Sequence, residues 1–103
     1  AQFSVELSKD EQRVFLMLYT HDKFMRSDKV CQKALLDIEV VEDALNALMD
    51  KGIPVDREVL DGNVYFRMNK DFKLRQARES IIKLDPDVTG QFQNALLQQF
   101  FDD

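Results

Sequence analysis

The chain has 103 residues and a mass of 12.0 kDa, which suits one folded domain and leaves no room for a second. Its apolar content of 45%, with eight Phe, supports a compact core, while 14 basic against 19 acidic side chains leave a net charge of −5 and a pI near 4.8. That balance argues against coating nucleic acid or an anionic membrane through the whole-body field, and one Cys with one His excludes an intramolecular disulfide framework and a Cys/His zinc site.

The first helix is announced by Ser8 with Glu11 three residues later, a capping-box spacing. It is expected from about Lys9 to Thr20. Val14, Phe15 and Leu18 recur at helical spacing, but Leu16, Met17 and Tyr19 fill the other faces. A helix apolar nearly all round is buried on more than one side, so something beyond a minimal core must cover it. The polar stretch from His21 to Arg26, with Phe24 and Met25 embedded, has room for a short strand. Ser27 is expected to cap a second helix over about Asp28 to Leu36, with Val30, Cys31, Ala34 and Leu35 as its apolar stripe. Asp37 is the next N-cap candidate. Val41, Ala44, Leu45 and Leu48 then define a third helix over about Ile38 to Lys51, closed by a C-terminal cation and Gly52 as the C′ glycine.

After Gly52 the period becomes alternating. Ile53, Val55, Arg57 and Val59 predict one strand and Val64 to Met68 a second, with Asp61-Gly62-Asn63 as the hairpin signal between them. Pro54 belongs at a strand start or an edge. A fourth helix is expected over Lys70 to Leu84, carrying Phe72, Leu74, Ala77, Ile81 and Ile82. Asp85-Pro86-Asp87 breaks the chain and restarts it, with Asp85 as N-cap and Pro86 at the first helical position. Val88, Phe92, Ala95, Leu96 and Phe100 form the stripe of a fifth helix, whose early turns Gly90 weakens by about 1 kcal/mol.

Helix, helix, short turn, helix and β-hairpin is an order that resembles the winged helix-turn-helix superfamily. The residues that carry the resemblance are Leu36-Asp37-Ile38-Glu39-Val40-Val41 through Leu45, Leu48 and Lys51-Gly52-Ile53, which are similar to a recognition helix leading into a wing. Asp61-Gly62-Asn63-Val64-Tyr65-Phe66-Arg67-Met68 is similar to the returning strand of the wing. The expected fold class is therefore α+β and mostly helical: a three-helix winged-helix core with a β-hairpin wing and two C-terminal helices. Residues 1–69 are expected to form the winged-helix domain. Residues 70–103 are expected as a helical extension packed on the same core or forming a dimer interface.

The resemblance implies DNA binding with the third helix in the major groove. The residues left over by that helix's core stripe depart from the pattern, being Glu39, Glu42, Asp43, Asn46 and Asp50. Carboxylates pressed toward phosphates oppose docking, and only Asn46 is a usual reader of base edges. The alternatives for this row are a solvated face or a docking surface for a basic partner, with Glu39, Glu42, Asp43 and Asn46 as the candidate partner-binding residues. The cations lie elsewhere. Lys70, Lys73, Arg75, Arg78 and Lys83 against Asp71 and Glu79 give residues 70–84 a charge of +3, leaving −8 for the rest. Lys70 and Lys73, with Arg57 and Arg67 on the wing, are the candidate DNA-contacting residues. The other role open to them is ion pairing with acids of the same domain or of a sister subunit.

Enzyme signatures are missing. The sequence contains no G-x-x-x-x-G-K-S/T, G-x-G-x-x-G or G-x-S-x-G. His21 reads as a helix C-terminal cation or surface residue, and Cys31, on an apolar stripe, as a buried structural thiol. No catalytic residue, metal or cofactor is expected. A single thiol suits a reducing compartment, most simply the cytoplasm. Ala1 to Ser8 show no secretory pattern, and the apolar run Val14 to Tyr19 is too short to span a bilayer. The last stretch, with Phe92, Leu96, Phe100 and Phe101, is expected either to fold over the first helix or to form a homodimer interface. The functional expectation is a non-enzymatic regulatory module acting mainly through protein–protein contacts in transcription or chromosome machinery. The alternative is a DNA-binding transcriptional regulator that uses the wing and the basic helix after it.

Overall fold

The computed structural model describes residues 5–79 and 81–91. The capping box forms as the spacing predicts: the Glu11 amide donates to Ser8 Oγ at 3.2 Å, and the Ser8 amide donates to Glu11 Oε1 at 3.0 Å. It opens α1 (Lys9–Tyr19). A short strand, β1 (Met25–Arg26), follows and leads directly into α2 (Ser27–Ala34). Ser27 is thus the first helical residue rather than the cap. Arg26 takes the cap position because its pairing with Tyr65 holds it extended, and its guanidinium grips Asp28 with bonds of 2.6 and 2.8 Å.

Leu35 departs from the expected stripe. The helix stops at Ala34, and Leu35 adopts φ 59°, a left-handed conformation uncommon for a side chain of its size, with 80% of its surface exposed. Helical periodicity does not apply past a helix end, so the residue turns outward. The chain then enters α3 (Ile38–Asp50), whose Val41, Ala44, Leu45 and Leu48 are buried as expected. Its end is a Schellman motif. Gly52, at φ 86°, donates its amide to the Met49 carbonyl, and Ile53 donates to the Leu48 carbonyl, each at 3.0 Å.

β2 (Val55–Leu60) and β3 (Asn63–Met68) form the hairpin. Asp61 and Gly62 both have positive φ, which is the two-residue turn that follows the natural twist of paired strands. The sheet order is β1-β3-β2, antiparallel throughout, so Pro54 sits just before an edge strand. These elements build the winged-helix fold, with β2 and β3 as the wing.

α4 (Lys70–Glu79) is shorter than its periodicity suggests, and Leu74 on it is 62% exposed. The buried Gln76 explains where Ile82 goes. Its amide accepts from the Ile82 N–H at 2.8 Å and donates to the Ile82 carbonyl at 2.9 Å, drawing that backbone into a parallel bridge with Val5 instead of a helical turn. Asp85 caps α5 (Pro86–Gln91) through the Asp87 amide at 2.9 Å.

The core has two parts, on different sides of α1. Val14, Phe15 and Leu18 meet α3, the sheet, Phe72 and Ile82 in the larger one, where Phe15 packs edge-on to Phe72 with ring centroids 6.3 Å apart. Leu16 and Met17 meet Ala34 and Val88 in the smaller one. The cover that an all-round apolar helix requires is thus supplied in part by α5. Phe92, Leu96, Phe100 and Phe101 lie outside the described residues.

Two glycine substitutions should have opposite signs. A Cβ at either Gly52 or Gly90 meets nothing within 4 Å, so backbone conformation decides both outcomes. Gly52→Ala, forced into the left-handed region, should cost about 1–2 kcal/mol, and Gly90→Ala, inside α5, should gain up to about 1 kcal/mol. Urea denaturation of the two variants checks both.

Candidate functional site

α3 presents the face of interest because its other side is fully committed. With Val41, Ala44, Leu45 and Leu48 turned to α1, the residues Glu39, Glu42, Asp43, Asn46 and Asp50 are all exposed. Lys51, at the helix end, does not offset them. Its Nζ reaches back to the Glu11 carboxylate, 3.1 Å from Oε2, and donates to the Glu6 carbonyl at 3.0 Å. Burial pushes the Glu11 carboxyl up, but the Lys51 ammonium and the Ser8 amide and hydroxyl outweigh it and hold the carboxyl below its usual 4.5. The ion pair pins the end of α3 to the start of α1 and uses the cation nearest the acidic row.

The four candidate DNA-contacting residues separate into two pairs. Arg67 bonds Asp56 at 3.2 Å across the hairpin and lies over the Phe24 ring, 4.3 Å from its centroid. Lys73 donates to the His21 carbonyl at 2.6 Å and to Asp22 at 3.2 Å, with its side chain only 14% exposed. Both are occupied in holding the fold. Arg57 and Lys70 are exposed and make no ion pair among the described residues.

Between α3 and the wing lies a groove of about 420 Å³ that the sequence did not lead us to expect. Ile38, Leu45 and Met49 line it from the helix; Val64, Phe66 and Arg57 line it from the sheet; Glu42 and Asn46 stand at its rim. Register builds the sheet side. Arg57 is opposite Phe66 and Val59 opposite Val64, so all four share one face of the hairpin. That face is buried at Phe66 and increasingly exposed toward the turn, with Val59 more than half open. A signal for the helix side was available. Ile38, Leu45 and Met49 recur at 7 and 4 positions, a second apolar line along the edge of the core stripe.

His21, expected as a helix C-terminal cation or surface residue, lies half-buried just past the end of α1. Nδ1 lies 2.7 Å from the Met17 carbonyl and Nε2 lies 3.0 Å from Lys33 Nζ, an arrangement satisfied by a neutral ring that donates at Nδ1 and accepts at Nε2. Burial lowers its pKa below 6.5, the Met17 carbonyl opposes this, and Lys33 and Lys73 lower it further. Cys31 is half-buried, and burial raises its thiol pKa. No group of three or more His, Cys, Asp or Glu suited to a metal occurs among the described residues. No helix among them is long and apolar enough to cross a membrane.

The sequence matches no protein-family profile and no curated protein. The structure is similar to that of a MarR-family transcriptional regulator from Silicibacter pomeroyi, with a TM-score of 0.55 and 19% identity over 93% of this chain and 72% of the other. At that identity the likeness is one of fold, and it agrees with the winged-helix architecture reached from the residues.

Two stability measurements test the site's supports. The folded state keeps His21 neutral below its ordinary pKa of 6.5, so the unfolded chain takes up the proton first and stability falls as pH drops through that value. The urea midpoint should therefore decrease between about pH 7.5 and 5.5, and His21→Gln should flatten that slope. Lys51→Met should cost about 1–2 kcal/mol at neutral pH, because it leaves the nearly buried Glu11 without its charged partner.

Proposed function

We propose that this chain is a winged-helix regulatory module of the transcription or chromosome machinery that works mainly by protein contact through α3. The supporting observation is the exposed row Glu39, Glu42, Asp43 and Asp50 on the helix a DNA reader would seat in the groove, with the neighbouring Lys51 folded back onto Glu11. Such a row repels phosphate and attracts a basic protein surface. Residues 70–91 belong with the unit before them in this reading, since Phe72 and Ile82 enter its core. Phe92, Leu96, Phe100 and Phe101 are then the surface by which two copies would associate.

The likeness to a transcriptional regulator favours a second reading, and favours it more directly than the first. In it the protein binds DNA with the wing and the start of α4, through Arg57 and Lys70. Arg67 and Lys73 would contribute little, because each already has a carboxylate partner within the domain.

The two readings part in solution. Replacing Glu39, Glu42 and Asp43 together with Lys should abolish capture of a partner from native lysate and leave the helical circular dichroism unchanged; undiminished capture overturns the first reading. The second predicts a low-salt shift of duplex DNA that falls steeply with added salt and weakens in Arg57→Ala. A duplex that binds no better to the parent than to Arg57→Ala overturns it.

A further inference from the structure

The groove between α3 and the wing is adjacent to the acidic row but chemically different from it. Along the helix it runs from Ile38 to Met49, about 16 Å at the α-helical rise, and its lining mixes apolar side chains with Glu42, Asn46 and Arg57. Ile38 and Met49, which line it, are large apolar residues left 44% and 40% exposed. Ser27, Glu42, Asn46 and Arg57 add polar groups to the same lining, so the groove offers apolar contact and charge side by side. The carboxylates of Glu39, Glu42, Asp43 and Asp50 make no ion pair among the described residues.

We infer that this groove receives a basic amphipathic helix from a protein partner. Its apolar side chains seat against the exposed parts of Ile38 and Met49 on one wall and Val64 on the other, and its Lys or Arg residues face the α3 carboxylates. The length of the trough fits about three helical turns, the usual footprint of a helix laid in a groove. Charge complementarity selects a basic partner over an acidic one. Arg57, the cation that lines the groove, suits the carbonyl end of the docked helix, where a positive charge is favourable. This inference rests on the protein-contact reading and adds to it the chemistry of the partner and an apolar anchor that the acidic row alone does not require.

The test uses a fluorescein-labelled Lys/Leu amphipathic peptide of about 14 residues, long enough to form a helix on binding. It is titrated into the full chain and followed by anisotropy at physiological salt. Saturable binding is expected. A peptide with Ser for Leu, and the chain carrying Ile38→Ser with Met49→Ser, should each lose about tenfold or more in affinity. Both substituted protein residues are partly exposed, so circular dichroism should show an intact fold. A Glu/Leu peptide should not bind. Retention of affinity within about twofold by the Ser-substituted chain means that charge alone holds the peptide. That result overturns the groove and leaves the acidic-face reading standing. Absence of any peptide binding overturns the groove too, and duplex DNA binding that requires Arg57 would then assign this face to nucleic acid.

Discussion

α1 has only eleven residues, yet the five from Val14 to Leu18 are each no more than 2% exposed. Five consecutive buried positions cover every azimuth of a helix, so no single partner layer can satisfy them. The chain answers with two: α3, the sheet and Phe72 on one side, and Ala34 with Val88 of α5 on the other. The orientation of α3 follows from the first of these contacts. Its Val41, Ala44, Leu45 and Leu48 must face α1, and the Glu11–Lys51 pair fixes the register at the far end. Whatever those four residues do not use is turned to solvent, and that remainder is the acidic row. The functional face is therefore a by-product of how α1 is buried.

Much of this was legible in the residues, wherever a short-range interaction decides the conformation. Ser8 and Glu11 form their capping box from neighbours three apart; Lys51-Gly52-Ile53 closes α3 with its own last carbonyls; Asp61-Gly62 turns the hairpin by backbone preference alone. The places where the reading failed share a different cause. Leu35 leaves its stripe because α2 must end early enough for α3 to be reached, and α4 gives way because a buried Gln76 claims the Ile82 backbone. For Arg67 and Lys73 the residues left phosphate contact and ion pairing within the domain both open, and here they pair with Asp56 beside Phe24 and with Asp22 beside the His21 carbonyl. Each of these partners, apart from the hairpin pair, is distant in sequence or set by tertiary packing. Periodicity carries no information about them.

The surplus negative charge also has a more definite meaning than the net value of −5 conveys. Residues 70–84 carry the positive excess, but the structure has already spent Lys73 against Asp22 and Arg75 against Glu79. On the wing, Arg67 is spent on Asp56. Exposed pairs of this kind contribute only about 0–1 kcal/mol each to stability, so their larger consequence is to neutralise cations that a phosphate would need. The α3 acids receive no such neutralisation from Lys51, which is drawn away to Glu11. In the folded protein the cations are therefore partly neutralised while the α3 acids are not.

The groove shows why a shared fold and a shared surface are separate matters. The chemistry of the cleft between α3 and the hairpin depends on which strand residues alternate inward. Here the register places Phe66, Val64 and Val59 on the inner face with Arg57 among them. Phe66 is anchored in the core, and the strand carries the others outward past the end of the helix packing. Alternation places Val59 on the same side as Phe66, and nearer the turn that side is exposed. A cleft of mixed apolar and polar lining beside the acidic row is thus the joint product of strand register and the α1–α3 contact. Neither of those constraints requires DNA as the occupant.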